Sequence, residues 1–217
     1  MALLDFLFAG RCKLCGNPLN KGAVCHECDS KLKELIFVSD RKITLDDGSE
    51  ISACYLFDYD NELVVRLLFA LKESGNRELF EYAARLYEIV MPYNFRGIVT
   101  NVPRRKVNKR RYGYDHVQEP CKIVCKNGDD GIRFEKLLKR VGFSKDQKTM
   151  SAKQRRKNTA NKFKAIKKDI VGDVLLVDDV LTTGNSIVSC VQEIKKYSPN
   201  AKIHVATLSS RGGFSRK

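Results

Sequence analysis

The stretch from Val174 to Ser186 constrains the fold of this 217-residue chain more than any other part of its sequence. Four apolar residues, Val174 to Val177, predict a short buried strand of a parallel sheet. The strand ends on two adjacent acids, and a periodic helix is predicted to open at Thr182–Asn185. A strand that turns directly into a helix N-terminus is a ready anion site. Free backbone N–H groups and the positive end of the helix dipole meet there.

The turn between this strand and helix offers several donors for a phosphate group. Hydroxyl groups can add to the backbone N–H donors, and Gly184 lets the backbone approach a ligand closely. The acidic pair one turn earlier cannot bind the phosphate, but it can hold ribose hydroxyls or a hard cation such as Mg²⁺. The predicted site consists of Asp178, Asp179, Thr182, Thr183, Gly184, Asn185 and Ser186.

This stretch resembles the loop of type I phosphoribosyltransferases that binds 5-phosphoribosyl-1-pyrophosphate (PRPP). The resemblance rests on an apolar strand, two acids, two further residues and then Thr-Thr-Gly. It implies that Asp178 and Asp179 bind the ribose hydroxyls and are the candidate catalytic residues. It also implies that residues 182–186 cradle the 5′-phosphate, with Mg²⁺ assisting the pyrophosphate group. The basic turn containing Arg104 and Arg105 follows another predicted strand, where a pyrophosphate-binding loop is expected.

Four cysteines near the N-terminus form a second informative pattern. Cys12 and Cys15 make one Cys-x-x-Cys pair, and Cys25 and Cys28 make another, with nine residues between the pairs. Four thiolates at this spacing suit a tetrahedral structural zinc ion in a small lobe. Because four cysteines leave no open coordination position, the predicted role of the zinc is structural rather than catalytic.

Three alternatives to a four-cysteine zinc site remain open. His26 could replace one cysteine, the thiols could form disulfides, or an iron–sulfur cluster could bind. Residues 1–9 lack the basic leader and the full apolar segment of a secretory signal. A reducing cytoplasmic location is therefore expected, and it favours zinc over disulfides.

Positive charge is concentrated in one part of the chain. The formal net charge is +14, and residues 101–170 contain 22 Lys and Arg against 7 Asp and Glu. One PRPP molecule needs only a few of these charges, so the excess indicates a polyanionic partner. The predicted nucleic-acid contacts are Arg110, Arg111, Arg155 and Arg156.

The order of apolar patterns predicts an α/β fold with a mostly parallel sheet. Asp46, Asp47 and Gly48 separate two strand patterns and predict a hairpin, and Asn61 is expected to cap a helix. Asp115 is predicted to begin another helix, which Pro120 would bend. No apolar run is long enough for a transmembrane helix. We predict a zinc-binding lobe over residues 1–38 and a phosphoribosyltransferase-like α/β domain over residues 39–217.

The combination of a four-cysteine lobe with this domain resembles the ComF family of competence proteins. Val102-Pro103 followed by basic residues resembles the strand-to-loop motif of that family, and Gly113-Tyr114-Asp115 resembles its Gly-Phe-Asn motif. His116 departs from the family pattern, which has Gln at this position. The resemblance implies a role in DNA uptake during natural transformation, with single-stranded DNA, on the cytoplasmic side of the membrane. It further implies competence helicase or recombination proteins as partners, and peripheral association with the inner membrane face.

Two classes of function are compatible with these features. In the first, the protein binds PRPP and handles single-stranded DNA, with catalysis left open. In the second, it is a Mg²⁺-dependent phosphoribosyltransferase that acts on a small-molecule acceptor such as a nucleobase. The charge excess favours the DNA role, whereas the intact PRPP loop favours small-molecule binding. The sequence contains no recognisable nucleobase pocket.

Overall fold

The structure is a computed structural model that describes residues 10–104, 112–128, 130–141 and 162–212. These residues form ten strands and five helices. In chain order the elements are β1 (Gly10–Arg11), β2 (Pro18–Leu19), α1 (His26–Glu34), β3 (Ser39–Thr44), β4 (Glu50–Asp58), α2 (Glu62–Glu73), α3 (Arg77–Val90), β5 (Gly97–Asn101), α4 (Gln118–Asn127), β6 (Ile132–Phe134), β7 (Leu138–Arg140), β8 (Phe163–Ala165), β9 (Gly172–Leu181), α5 (Asn185–Tyr197) and β10 (Ala201–Ser210).

Six of the strands form the central sheet, in the order β3-β4-β10-β9-β5-β6. Within it, β10 pairs in parallel with both β4 and β9, and β5 pairs in parallel with both β9 and β6. The β3–β4 hairpin is the one antiparallel pair in this sheet. The prediction of a mostly parallel α/β sheet is therefore confirmed.

Local side-chain contacts explain where the predicted hairpin and helix begin. In the turn between β3 and β4, the Asp47 carboxylate accepts a hydrogen bond from the N–H of Ser49 at 2.9 Å. Asn61 caps α2, because its side-chain oxygen accepts from the N–H of Leu63 at 2.9 Å and from that of Val64 at 3.4 Å. Both predictions are confirmed, and each rests on a short side chain that accepts from the backbone two or three residues later.

Helix α4 differs from its prediction. It begins at Gln118 rather than Asp115, because the Asp115 carboxylate accepts from the N–H groups of Val117 and Gln118, both at 3.2 Å, ahead of the helix. Pro120 consequently lies in the first turn, where an N–H group has no partner within the helix. The predicted bend at Pro120 is therefore not required.

Apolar side chains cover both faces of the sheet. On β9, Leu175 and Val177 face the core shared with α2, α3 and α4. Val174 and Leu176 face a second core, which contains Ile187 and other residues of α5. All four of these β9 residues are at most 1% exposed, as expected for a parallel strand covered on both faces.

The N-terminal lobe packs against the first of these cores. Cys12, Cys28 and Leu32 are buried in the same apolar cluster as the residues of α2 and α3. In addition, the hydroxyl of Tyr82 on α3 donates to Asp29 on α1 at 3.0 Å. The predicted boundary between a lobe of residues 1–38 and a domain of residues 39–217 stays a prediction. None of the helices in the described ranges is long and apolar enough to span a membrane.

Replacing Gly97 with alanine should disrupt the pairing of β5 with β9. Gly97 has φ +149°, and a Cβ atom there would lie 2.2 Å from the carbonyl oxygen of Asp173. Gly172→Ala is a matched control, because its φ of +101° is also unfavourable but no atom lies within 4 Å of the added Cβ. Backbone strain alone costs about 1–3 kcal/mol. Chemical denaturation should show a larger loss of unfolding free energy for Gly97→Ala than for Gly172→Ala; equal losses would contradict this packing.

Candidate functional site

The turn after β9 forms an open recess at the carboxyl edge of the sheet. The recess has a volume of about 120 Å³ and is lined by Asp178 and by residues 180–187. Its polar residues Thr182, Thr183, Asn185 and Ser186 are all exposed. Helix α5 begins at Asn185, and no side chain caps it. The first N–H groups of α5 therefore have no side-chain acceptor, which is the arrangement that binds anions.

The β3 strand holds this turn from the other side. Gly184 has φ +75°, and a Cβ atom there would lie 3.1 Å from the Cγ2 atom of Ile43 on β3. Arg41, two residues earlier, donates through Nη1 to the carbonyl oxygens of Thr182 (2.8 Å) and Arg211 (3.0 Å). Arg41 is not among the site residues predicted from the sequence. It is separated from Thr182 by 141 positions, so no local pattern could indicate the contact.

The two predicted acids lie on opposite faces of β9, since successive side chains of a strand alternate. Asp178 is half-buried and lines the recess beside Thr182. Asp179 is buried and lies on the side of α2 and α4. The structure thus places Asp178 next to the predicted phosphate cradle and Asp179 away from it.

Three basic side chains surround Asp179. Its Oδ2 atom lies 2.8 Å from Nη2 of Arg104, and 2.8 Å from Nε2 of His116. Lys72 Nζ is 3.3 Å from the same oxygen. Of these, only Arg104 is a site residue predicted from the sequence, and its predicted role is to bind pyrophosphate. Two sequence features could have indicated the other two residues. Lys72 is the lysine near the end of α2, and His116 stands where the ComF family has Gln.

The surroundings shift the pKa values of the two acids in opposite directions. Burial raises the pKa of Asp178 well above its usual range, and the neighbouring charge of Asp179 raises it further. Burial also acts to raise the pKa of Asp179, but the hydrogen bond from His116 and the charge of Lys72 outweigh it. They hold the pKa of Asp179 well below its usual range. Asp179 therefore ionises at a lower pH than Asp178.

These acids by themselves do not fit a magnesium ion. Mg²⁺ prefers ionised oxygen ligands and usually also takes phosphate oxygens of a substrate. The Oδ2 atom of Asp179 is engaged by basic side chains, and its Oδ1 accepts from the N–H of Val180 at 2.9 Å. Burial raises the pKa of Asp178, so this carboxyl ionises less readily than an ordinary aspartate. The predicted Mg²⁺ would therefore depend on phosphate oxygens of the ligand.

A second recess lies at the carboxyl end of β5, the neighbour of β9. Its volume is about 140 Å³, and its polar lining consists of Arg104, Lys136, Asp115, Asn101 and Gln118. Arg104 and Lys136 can bind an anion there, and the predicted place of Arg104 near a pyrophosphate group stays a prediction. The other predicted basic residues lie outside the described residues: Arg105, Arg110, Arg111, Arg155 and Arg156.

The four predicted metal ligands converge at one point. The Sγ atoms of Cys12, Cys15, Cys25 and Cys28 all lie within 4.8 Å of one another. The Sγ atoms of Cys15 and Cys25 are 3.7 Å apart. Tetrahedral coordination with Zn–S bonds of about 2.3 Å requires S–S separations of about 3.8 Å. A disulfide requires about 2.05 Å. The arrangement fits a four-coordinate zinc ion.

The backbone around this cluster favours the thiolate form of Cys12. The N–H of Cys25 points to Sγ of Cys12 at 3.3 Å. Burial acts to raise the pKa of Cys12, but this hydrogen bond and others from the backbone outweigh it and lower the pKa to about 6. Among the described residues, the group of converging ligand atoms contains the four cysteines and not His26. A bound zinc ion would hold the β1–β2 hairpin and the start of α1 together.

Comparison with known proteins finds a similarity to phosphoribosyltransferases over part of the chain. A family profile described as "Phosphoribosyl transferase domain" matches residues 133–213, a span that contains β9, α5 and the first recess. The chain is similar to that family over this span. No curated protein sequence matches the chain.

Two solved structures are similar to parts of the fold. Orotate phosphoribosyltransferase from Aeropyrum pernix has 18% sequence identity and a TM-score of 0.36, over 84% of this chain and 81% of the archaeal one. UMP synthase from Leishmania donovani has 14% identity and a TM-score of 0.39, over 85% of this chain and 31% of that chain.

Purified, reduced protein should contain one zinc ion per chain. Cys25→Ser should abolish metal binding, because such sites typically contribute roughly 10–16 kcal/mol only when all their ligands are present. Cys125→Ser is the control, since this half-buried cysteine on α4 is not among the four converging thiols. Elemental analysis would measure the metal. Iron in place of zinc, or equal metal loss in both variants, would contradict the site.

Proposed function

We propose that the protein binds PRPP at the carboxyl ends of β9 and β5 and handles single-stranded DNA during natural transformation. The PRPP part is carried by one observation: the uncapped N-terminus of α5 opens into a recess that Asp178 also lines. The match of residues 133–213 to the phosphoribosyl transferase domain supports the same assignment. The predicted place of Asp179 at the ribose stays a prediction.

The arrangement of the two recesses supports a ligand with two phosphate ends. The first recess lies after β9 and offers hydroxyl and N–H donors, whereas the second lies after β5 and offers Arg104 and Lys136. Because β5 and β9 are paired, the recesses are neighbours at the same edge. PRPP carries a 5′-phosphate and a pyrophosphate on opposite sides of one ribose. Asp178, on the side of the first recess, is the acid in reach of that ribose.

Asp178→Asn should weaken PRPP binding while the fold stays intact. The amide cannot replace a carboxyl group as a double acceptor, so a loss of roughly tenfold is expected, as for one hydrogen bond of about 1.5 kcal/mol. Asp173→Asn, at the opposite end of β9, makes the same chemical substitution and serves as the control. Isothermal titration calorimetry would measure PRPP affinity. Absence of PRPP binding to the wild-type protein would refute the proposal.

The DNA part of the proposal is supported by the basic segment and by the ribbon of β7 and β8. Lys139 lies directly opposite Lys164 in this ribbon, and both side chains are exposed. Like charges at paired positions repel each other, so a bound polyanion would stabilise this arrangement. Arg140 stacks over the ring of Phe163, 5.3 Å from its centroid, at the adjacent pair.

The cellular location and the partners proposed for this DNA role follow from the resemblance to the ComF family. We place the protein on the cytoplasmic side of the membrane, in peripheral contact with the inner membrane face. Competence helicase or recombination proteins are the proposed partners there. A genetic test follows from the predicted DNA contacts: reversing Arg110, Arg111, Arg155 and Arg156 to Glu should abolish transformation and leave PRPP binding largely unchanged.

Single-stranded DNA should bind with little sequence preference and a strong dependence on salt. Reversing Lys139 and Lys164 to Glu should lower the slope of log K against log salt by roughly 1.4, since each neutralised phosphate contributes about 0.7. Lys42→Glu with Lys202→Glu changes the net charge equally at exposed positions of β3 and β10. Fluorescence anisotropy across a salt series would measure both pairs. Equal effects of the two pairs, or no binding by wild type near physiological salt, would remove the DNA role.

A second function, phosphoribosyl transfer to a small-molecule acceptor, is favoured by a larger recess. This recess, of about 610 Å³, lies between residues 34–37 of the lobe and the carboxyl end of β4 at Asp58. Its volume is in the range of small-molecule sites. An assay of PRPP-dependent pyrophosphate release with candidate nucleobases would separate this function from binding alone.

A further inference from the structure

The Asp179 carboxylate is already saturated by donors of the protein itself. Its Oδ2 atom has three nitrogen neighbours within 3.3 Å, and its Oδ1 atom has the N–H of Val180. The side chain is 10% exposed. A ribose hydroxyl would have to displace one of these donors before it could reach Asp179. Asp179 is therefore less suited than Asp178 to direct contact with the sugar.

Two cationic side chains share the single carboxylate of Asp179. Arg104 Nη2 lies 2.8 Å and Lys72 Nζ 3.3 Å from the same oxygen. Arg104 is 19% exposed and Lys72 is 32% exposed, so neither side chain is sealed from a ligand. Arg104 also lines the recess at the end of β5. These two partly exposed cations can bind an anion there, and a guanidinium group matches phosphate oxygens well.

His116 is placed to act on Asp179 rather than on a ligand. Its side chain is 3% exposed, and its Nε2 atom is directed at the charged carboxylate, so this nitrogen carries the proton and donates. Burial lowers the pKa of His116, and the charges of Arg104 and Lys72 act in the same direction against the opposing effect of Asp179. His116 is therefore a neutral hydrogen-bond donor at neutral pH.

The turn that carries His116 also fixes Lys72. The hydroxyl of Tyr114 donates to the carbonyl oxygen of Lys72 at 2.7 Å and accepts from the N–H of Gly75 at 2.9 Å. The Asp115 carboxylate in turn holds the start of α4. Three consecutive residues of one turn thus anchor the end of α2, the start of α4 and, through His116, the acid on β9.

We propose that His116 is a positioning residue: it orients Asp179, and Asp179 holds Arg104 and Lys72 in place for the pyrophosphate oxygens of PRPP. This inference rests on the proposed PRPP function. It divides the acid pair into two roles. Asp178 serves the ribose side of the site, whereas Asp179 is the internal counter-ion that arranges two cations for the pyrophosphate side.

Two probes distinguish these roles in the full-length protein. PRPP carries the pyrophosphate group, whereas ribose 5-phosphate carries only the sugar and the 5′-phosphate. His116→Ala should weaken PRPP binding by about 10- to 100-fold, the range expected for loss of one hydrogen bond to a charged group. It should leave ribose 5-phosphate affinity unchanged. His116→Gln should retain most of the PRPP affinity, because its amide N–H can still donate to Asp179. Calorimetry would measure all three proteins with both probes.

Lys72→Gln provides a second variant in case His116→Ala does not fold. Lys72 is partly exposed, and Tyr114 contacts only its backbone, so this variant keeps the turn intact. It should reproduce the loss of PRPP affinity without loss of ribose 5-phosphate affinity. Equal weakening of both probes, or a His116→Gln variant as weak as His116→Ala, would overturn the positioning role. If wild type bound ribose 5-phosphate and PRPP equally, the pyrophosphate assignment would fall while the cradle stood. If it bound neither, the proposed function itself would fail.

Discussion

The parallel pairing of β9 with both β5 and β10 is the constraint on which the rest of the structure depends. It buries Val174 to Val177 on both faces and fixes where the strand ends. Both acids lie near the carboxyl end of β9, and the turn at Thr182 begins directly after the strand. Because side chains alternate along a strand, the same pairing sends Asp178 toward α5 and Asp179 toward α2 and α4. The two halves of the site thus follow from the register of a single strand.

Features with a local physical cause could be predicted from the sequence. Asn61 caps α2 through hydrogen bonds to residues two and three positions later, and Asp47 closes its hairpin in the same way. The four cysteines were recognisable because metal ligands in a small lobe follow a short, regular spacing. The candidate cradle is a local pattern, since its acids, hydroxyls and glycine lie within nine consecutive residues, and its binding of a phosphate stays a prediction. The predicted start of helix α4 is three residues too early. Asp115 resembles a helix cap, but its carboxylate accepts hydrogen bonds in the turn before the helix.

The cluster around Asp179 could not be predicted in this way. Its members are drawn from α2, from the end of β5 and from the turn before α4. Arg104 and His116 are 75 and 63 positions from Asp179 in the chain. No periodicity relates residues so far apart, and a lone lysine or histidine has many structural roles. Only the tertiary fold shows that Arg104, Lys72 and His116 share one carboxylate, and that Arg41 contacts the turn of the cradle from β3.

The position of β10 has a consequence for how the protein folds. This strand follows all the others in sequence, yet it lies in the middle of the sheet, between β4 and β9. During synthesis, therefore, the β3–β4 hairpin and the β9–β5–β6 group leave the ribosome as two separate half-sheets. Their joining must wait for β10, which requires contacts across most of the chain, a topology associated with slow folding. Until then the edges of β4 and β9 remain unpaired, and such edges are sites of aggregation.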